Sequence, residues 1–579
     1  MTNLFRVKSL DRLIREAELH PDQQLKRTLG PVQLTALGIG AIIGAGIFST
    51  IGTAASGGAE HLGAGPAVLL SFLLTAVACG FAALCYAEFA AMVPVAGSAY
   101  TYAYATLGEI VAWIIGWDLI LEYAIGNVAV AVSWSGYFQE LMRGLGLAIP
   151  PWLGVDYRSA AEAARQAAAG VDLSTLGPFM QRAGEAFAQA PALGGVHLIC
   201  DLPAFLIVMV ITWVLVRGIR ESAGLNTAMV ALKLVIIGFF LIVGAFYVKP
   251  ANWTPFAPNG FKGISTAAAI IFFAYIGFDA VSTAAEETRN PQRDMPIGMI
   301  ASLIICTVIY VLVALVLTGL LRWNHLGTAE PLATAFSSLG MTWAAGIISL
   351  GAVFATTSVL VVFQLGQPRI FFSMARDGLL PSWASRVHPR YRTPHVTTIL
   401  TGVVVAVFAS FANINEVVEL TNIGTLFAFV LVSLGIVILR RIDPSRVRPF
   451  RTPLVPVVPL LSVLMCGYLM IQLPIVTWYR FVIWLAIGLL LYADYGVRRS
   501  RLRSSEFTAG MRQSAPGWVR SLIVALNLAV LGCAILWVAR VLTVNSLVLA
   551  ILFVDVCVLY LQLSKRAGPA LPSSGQARP

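Results

Sequence analysis

Charge is what this chain lacks most. Only 12% of its 579 residues are Asp, Glu, Lys or Arg, against about 25% in soluble globular domains, and 58% are hydrophobic. That balance excludes a water-soluble domain and describes a chain that crosses a bilayer many times. Histidine is also scarce: the six, at 20, 61, 197, 325, 388 and 395, fall in loops or at the edges of apolar runs. An intramembrane enzyme, such as a lipid-modifying transferase, needs a nucleophile, a His/acid pair or a metal cluster at membrane depth, and the placement of these histidines argues against one. The seven cysteines, at 79, 85, 200, 306, 466, 533 and 557, are scattered without a Cys-x-x-Cys or Cys/His cluster. Metal and redox readings lose their support, and the cysteines read as packing residues. No metal, cofactor or catalytic residue is expected. The net charge of +11 follows the membrane and does not indicate a nucleic-acid partner.

The first 30 residues are polar, of mixed charge, and lack an apolar core ahead of a small-residue cleavage site. A cleavable signal is not expected, and the first span must direct insertion. Fourteen spans are read near 31–55, 64–91, 106–140, 199–217, 224–248, 264–286, 295–321, 333–365, 394–413, 416–439, 454–473, 477–497, 519–539 and 543–563. With the N-terminus inside, 29 of the 39 Lys/Arg are cytoplasmic, nine are external and Lys233 alone sits deep in a span. This is the bias the positive-inside rule requires. Spans three and eight are over-long and are expected to tilt or to run past the bilayer.

The expected organisation is a cytoplasmic segment at 1–30, a five-span block at 31–248, a second at 249–440, four peripheral spans at 441–563 and a cytoplasmic tail at 564–579. The external stretch 144–196 holds a short predicted helix over Ser159–Ala169. It has no nucleophile–base grouping and reads as an exterior cap.

What the chain does have is glycine where a helix interior disfavours it. Gly38, Gly40, Gly44 and Gly46 fall in a span with no charged side chain from Thr28 to Ala59, each at about 1 kcal/mol relative to alanine. A helix broken near its middle explains them, and in lipid such a break is tolerable only where it lines a cavity or is covered by protein. The sixth span carries a counterpart, Phe272-Phe273-Ala274-Tyr275-Ile276-Gly277-Phe278-Asp279. An offset of five spans gives two five-helix units of opposite orientation, and paired interrupted helices point to a transporter site at the midplane. The alternative is that these glycines are close-packing positions.

Unwinding at Gly44-Ala45-Gly46 would aim amides and a helix N-terminus at a carboxylate. Unwinding around Ala274-Tyr275-Ile276 would aim carbonyls at an ammonium. Together they match an α-amino acid without a charged side chain, and Phe273 is positioned to close over it. Lys233 is too deep to reach either surface easily, so it must find carbonyls or an acid, or give up its proton. It is the candidate proton carrier; a permanently paired strut is the alternative. Asp118 and Glu122 share one face of span three, and Glu122, the deeper, is a candidate for a substrate side chain or a proton relay. Glu88 and Glu109 lie nearer span ends, where a solvated or interfacial role is at least as fitting. Asp279 could cap the half-helix after the break. Thr356, Thr357 and Ser358 are candidate cavity hydroxyls, although hydroxyls in membrane helices more often bond their own backbone.

These residues resemble the amino acid–polyamine–organocation superfamily, and within it the bacterial members of the cationic amino acid transporter family. The resemblance runs from about Leu29 to Pro453. It rests on Gly40-Ala41-Ile42-Ile43-Gly44-Ala45-Gly46-Ile47-Phe48, on the run from Tyr86-Ala87-Glu88-Phe89 to Gly97-Ser98-Ala99-Tyr100-Thr101-Tyr102, and on the run from Phe272 to Thr283. Gly366-Gln367-Pro368-Arg369-Ile370 and Met374-Ala375-Arg376-Asp377-Gly378-Leu379-Leu380-Pro381 add to it. It implies an all-α polytopic membrane protein with a leucine-transporter-like 5+5 inverted repeat and four additional C-terminal helices, 14 transmembrane helices in all.

It further implies that Gly44, Ala45 and Gly46 hold the substrate carboxylate, that Ile42, Phe273 and Ile276 offer carbonyls to its amino group, and that Phe273 is the gate. Lys233 matches a lysine that replaces an ion site in proton-coupled relatives. The expected function is import of L-amino acids, cationic or small and neutral, across the bacterial cytoplasmic membrane by proton symport. An exchanger, a sodium-coupled symporter and a non-transporting amino-acid sensor are the alternatives. The expected partners are the amino acid, the proton and membrane lipid. The symmetry of such a fold does not require a dimer.

Overall fold

The computed structural model describes Val7 and residues 29–500, apart from 59–60, 94–97, 174–177, 194–195, 218–222 and Arg392. The expected spans at 519–539 and 543–563 and the tail at 564–579 lie outside the described residues, as does most of 1–30. The chain forms two compact units, 1–481 with 487–511, and 482–486 with 512–579; the second is described only over Val482–Ala486. Among the described residues, eight helices are long and apolar enough to cross a membrane, and nine if the bent pair at the start is one span. Three shorter apolar helices accompany them.

The first span is α1 (Pro31–Ile42) and α2 (Gly46–Ser56), whose axes differ by 41°. Pro31 stands at the first turn, where its missing N–H costs nothing, and Gln33 caps the Gly30 amide at 3.1 Å. Then come α3 (Val68–Met92), α4 (Ser98–Thr106) and α5 (Glu109–Gly144). At 36 residues, α5 is about 54 Å long and outruns the ~30 Å hydrocarbon core, as its length in the sequence led us to expect.

Outside, α6 (Tyr157–Ala168) replaces the expected Ser159–Ala169 with little change; Asp156 caps it by accepting from the Ser159 amide at 2.9 Å. It pairs with α7 (Pro178–Gln189) around a small core of Val155, Ala160, Ala163, Ala183, Ala186 and Ile199. A two-residue hairpin, β1 (Ala192–Leu193) with β2 (Val196–His197), follows.

The remaining helices are α8 (Leu202–Arg217), α9 (Ala223–Ala245), α10 (Gly260–Ile271), α11 (Pro291–Leu320), α12 (Pro331–Ser338), α13 (Thr342–Arg376), α14 (His395–Phe411), α15 (Ile414–Ile442), α16 (Val457–Ile471) and α17 (Ile475–Leu491). Two expectations need correction. Span eight was expected at 333–365; its first residues instead form the separate α12, cut off where Gly340 takes φ +76°, and α13 runs on through Pro368 to Arg376. Span six breaks after α10 as expected, but the half-helix expected to follow the break to 286 is instead a run of tight 3-10 turns, over Phe272–Tyr275 and Asp279–Glu287. Helices pack on partners five spans later: α3 on α11, α5 on α13, α8 on α14, while α1 lies against α9 and α11.

Glu88 and Glu109 are not solvated. Glu88 is fully buried; Arg440 donates to it at 2.7 and 3.1 Å, the Thr452 amide at 2.7 Å, and Arg448 lies 3.3 Å away. Glu109 accepts from Tyr104 at 3.1 Å, from Tyr492 at 3.0 Å and from Ser500. Distant loops fold over both acids, which their position near span ends could not foretell.

The external hairpin is tied down at both ends. Arg158 pairs with Glu416 and Asn413 donates to Ser159 at 3.0 Å, while Arg182 pairs with Glu330, the residue that opens α12. The buried Glu330 carboxylate lifts the Arg182 guanidinium above its ordinary range. Arg182→Ala leaves Glu330 buried without its cation. Removing one partner of a buried pair costs 3–5 kcal/mol, and because Arg182 is 23% exposed we expect the lower end, about 3 kcal/mol. A thermal melt should show the loss, and adding Glu330→Gln should recover most of it.

Candidate functional site at the two helix breaks

The backbone leaves the helix at Ile43–Gly44, one residue before the expected start, and the Ile43 amide still reaches the Ile39 carbonyl at 2.9 Å. The second break centres on Gly277, with φ +122°. An Ile276 amide donating to Phe273 at 3.4 Å closes the turn before it, and Asp279 accepts from the Gly277 amide at 3.2 Å behind it. The two breaks face each other. A Cβ placed on Gly46 would lie 2.3 Å from the Ala274 Cα, and one on Gly277 would lie 2.8 Å from the Ala41 carbonyl carbon. One on Gly44 would meet the Val359 side chain of α13 at 2.9 Å. These glycines are needed for close approach.

An interrupted helix leaves carbonyls without intrahelical partners, and here side chains from other spans take them. Lys233 of α9, 2% exposed, donates to the Gly40 carbonyl at 2.7 Å and the Ile43 carbonyl at 3.0 Å. The Tyr310 hydroxyl of α11 lies 2.9 Å from both the Ile42 and the Ala274 carbonyls, so its single proton is shared between the two breaks. Asn422 of α15 donates to the Ala269 and Ile270 carbonyls at 2.7 and 3.0 Å. Tyr137 of α5 donates to the Phe48 carbonyl. Sequence reasoning found Lys233 and missed Tyr310, Asn422 and Tyr137. A lysine at membrane depth announces itself, whereas a tyrosine or asparagine does not.

Between the breaks lies a cavity of about 20 Å³, walled by Ala41, Ile276 and Gly277 of the breaks and by Glu122, Val359 and Phe363 of α5 and α13. That is room for about one water, too little for an amino acid. Among the expected binding residues, Glu122 and Ile276 reach this cavity, and Asp279 also borders it. Phe273 is 5% exposed, and Ala274 and Ala45 are buried. Glu122 Oε2 has no hydrogen-bond partner, and neither Asp118 oxygen has one. Thr356, Thr357 and Ser358 bond their own helix, at the Ala352, Val353 and Ala355 carbonyls, at 2.6, 2.6 and 2.9 Å. The walls that α13 supplies are instead Val359, Val362 and Phe363. No group of His, Cys, Asp and Glu able to hold a metal occurs among the described residues.

Gly46→Ala and Gly277→Ala should each abolish uptake and lower the melting temperature, because the methyl meets backbone that cannot swing aside. Gly80→Ala, where nothing lies within 4 Å, should change neither, and melts with uptake assays on all three variants check the contrast.

Residues 29–492 match the amino acid permease family. The chain is 46% identical over 501 residues to the branched-chain amino acid permease BcaP of Bacillus subtilis, covering 86% of this chain and 99% of that one. It is 44% identical over 502 residues to the methylthioribose transporter of the same organism, covering 87% and 100%. It is 36% identical over 455 residues to the vacuolar cationic amino acid transporter 4 of Arabidopsis thaliana, covering 77% and 68%. This multi-pass membrane protein is a transporter and not an enzyme, and it belongs to the amino acid permease family of the amino acid–polyamine–organocation superfamily.

Proposed function

We propose that the protein imports α-amino acids across a bacterial cytoplasmic membrane by proton-coupled alternating access, with both termini inside, on a 5+5 inverted repeat with four peripheral helices. The observation that carries this is the meeting of two interrupted spans whose carbonyls are held by Lys233, Tyr310 and Asn422. Packing at an offset of five spans supports the repeat, and the Lys/Arg distribution supports the orientation.

In this reading the amides of Gly44, Ala45 and Gly46 receive the substrate carboxylate once α13 and the span-six break draw back. The carbonyls of Ile42, Phe273, Ala274 and Ile276 receive the ammonium, and Phe273 closes over it. Lys233 carries the coupling proton. Protonated, it holds the Gly40 and Ile43 carbonyls; without the proton it loses charge-assisted donation to both, and α1 is released to move. The Ile42 carbonyl sits on the peptide next to that of Ile43 and is held by Tyr310, which also grips Ala274. A shift of α1 is thereby passed to the span-six half of the substrate site.

The apolar walls Ile276, Val359, Val362 and Phe363 favour a neutral, branched side chain, in keeping with the name of the Bacillus branched-chain permease. A second reading, a cationic substrate, is favoured by the unpartnered Glu122 Oε2 at the cavity and by relatives named for cationic amino acids.

Reconstituted protein under an imposed pH gradient should accumulate amino acid with or without sodium; accumulation that needs sodium, or ignores the pH gradient, sinks proton symport. Lys233→Ala should abolish pH-driven accumulation while leaving counterflow exchange. Tyr310→Phe removes one hydrogen-bonding hydroxyl, ~1 kcal/mol, and should lower kcat/KM about 3- to 10-fold. In a competition panel, leucine, isoleucine and valine should block uptake and arginine should not; the opposite pattern, abolished by Glu122→Gln, selects the cationic reading.

A further inference from the structure

A groove of about 660 Å³ runs along the first half of α11, lined by none of the residues at the breaks. Pro296, Ile297, Ile300 and Ile304 form one wall, and Pro449 and Phe450, from the loop between α15 and α16, form the other. Its end at the start of α11 is polar, lined by Gln292 and Arg293. From Arg293 to Ile304 the helix rises about 16 Å, close to half of the ~30 Å hydrocarbon core. The groove therefore has a basic mouth at one membrane boundary and an apolar wall about one leaflet deep. Ile297 and Ile304 are 41% and 59% exposed.

Arg293 lines the groove, and a basic run follows Pro449 and Phe450 in the chain. Arg440 and Arg448 are engaged by Glu88, and Arg446 lies against Asp443. Arg293 and Arg451, the latter next to Phe450 in the chain, are exposed, and their guanidinium groups have no hydrogen bond or ion pair among the described residues.

We propose that this groove binds an anionic phospholipid of the leaflet on the arginine-rich side. Its phosphate sits between Arg293 and Arg451, and one acyl chain lies along Ile297, Ile300 and Ile304 against Phe450. A phosphate takes planar guanidinium donors in pairs, and juxtamembrane basic side chains attract acidic headgroups. Free phosphate would leave the apolar wall uncovered, and a zwitterionic lipid would leave the two cations without net compensation. Because α11 also carries Tyr310, the lipid seats on the helix that ties the two breaks together.

The test uses the full chain in detergent with phosphatidylglycerol or phosphatidylethanolamine of identical acyl chains, read by native mass spectrometry and thermal melting. Phosphatidylglycerol should give about tenfold more retained adduct and a larger rise in Tm. Arg293→Gln with Arg451→Gln should erase that preference, and Ala301→Trp, which fills the groove, should reduce adducts of both lipids. Inorganic phosphate should leave Tm unchanged. Equal retention of the two lipids by the unmodified protein overturns the proposal, and so does a preference that survives the double substitution. Stabilisation by inorganic phosphate alone also overturns it, as does a photo-crosslinker at Ile304 that captures residues 1–28 in place of lipid. None of these readouts involves transport, so the outcome is independent of the proposed function.

Discussion

A helix that breaks inside a membrane exposes carbonyls that no water can reach, and each one left unpartnered costs several kcal/mol. The structure is organised around that constraint. The breaks of spans one and six free carbonyls at Gly40, Ile42, Ile43, Ala269, Ile270 and Ala274, and these, with the Phe48 carbonyl in the turn after the first break, are taken by Lys233, Tyr310, Tyr137 and Asn422. These four side chains come from α9, α11, α5 and α15. The breaks are therefore stable only if those helices pack around them, and the bundle's interior is fixed by the hydrogen-bonding demand of two short stretches of backbone. Apolar packing alone cannot choose such an arrangement, since lipid tails are as apolar as leucine.

The same constraint gives the site its capacity to switch. Lys233 and Tyr310 hold carbonyls of neighbouring peptides, at Ile43 and Ile42, and Tyr310 also holds Ala274 across the gap. Loosening any one of these bonds loads the others. In the proposed mechanism a change of charge on a single ammonium would thus move two half-helices, which a continuous helix, with every backbone bond made internally, would not permit. The remote tethers lie elsewhere. Glu88 and Glu109 lock loops beyond the ends of α3 and α5, and Arg182 locks the external hairpin to the entrance of α12.

Much of this was legible in the sequence, because glycine and lysine are costly in a membrane helix and so carry information. The positions of both breaks and the depth of Lys233 could be read from single residues. Tyr310, Asn422 and Tyr137 could not, since a hydroxyl or amide in an apolar run most often bonds its own backbone, as Thr356, Thr357 and Ser358 do here. Burial of Glu88 and Glu109 was hidden for another reason. Their partners Arg440, Thr452, Tyr492 and Ser500 lie more than 300 residues away in the chain, and periodicity reports nothing at that range. The split between α12 and α13 depended on one positive-φ glycine, Gly340, within a run whose composition stays apolar.

The glycines themselves resolve an ambiguity that composition leaves open. Access for a ligand and close packing of helices both call for a missing side chain. At Gly46 and Gly277 the space of a Cβ is filled by backbone of the opposite break, and at Gly44 by the Val359 side chain. In this structure these residues pack, and the cavity beside them is about the size of one water. In the proposed cycle an amino acid reaches the same amides only when span one parts from Ala274 and Val359. On that proposal packing and binding are one surface used alternately: the contact that seals the empty site is the contact a substrate would replace. A larger residue at these positions would wedge the seal open and obstruct the ligand at once, so the absence of a side chain serves both halves of the cycle.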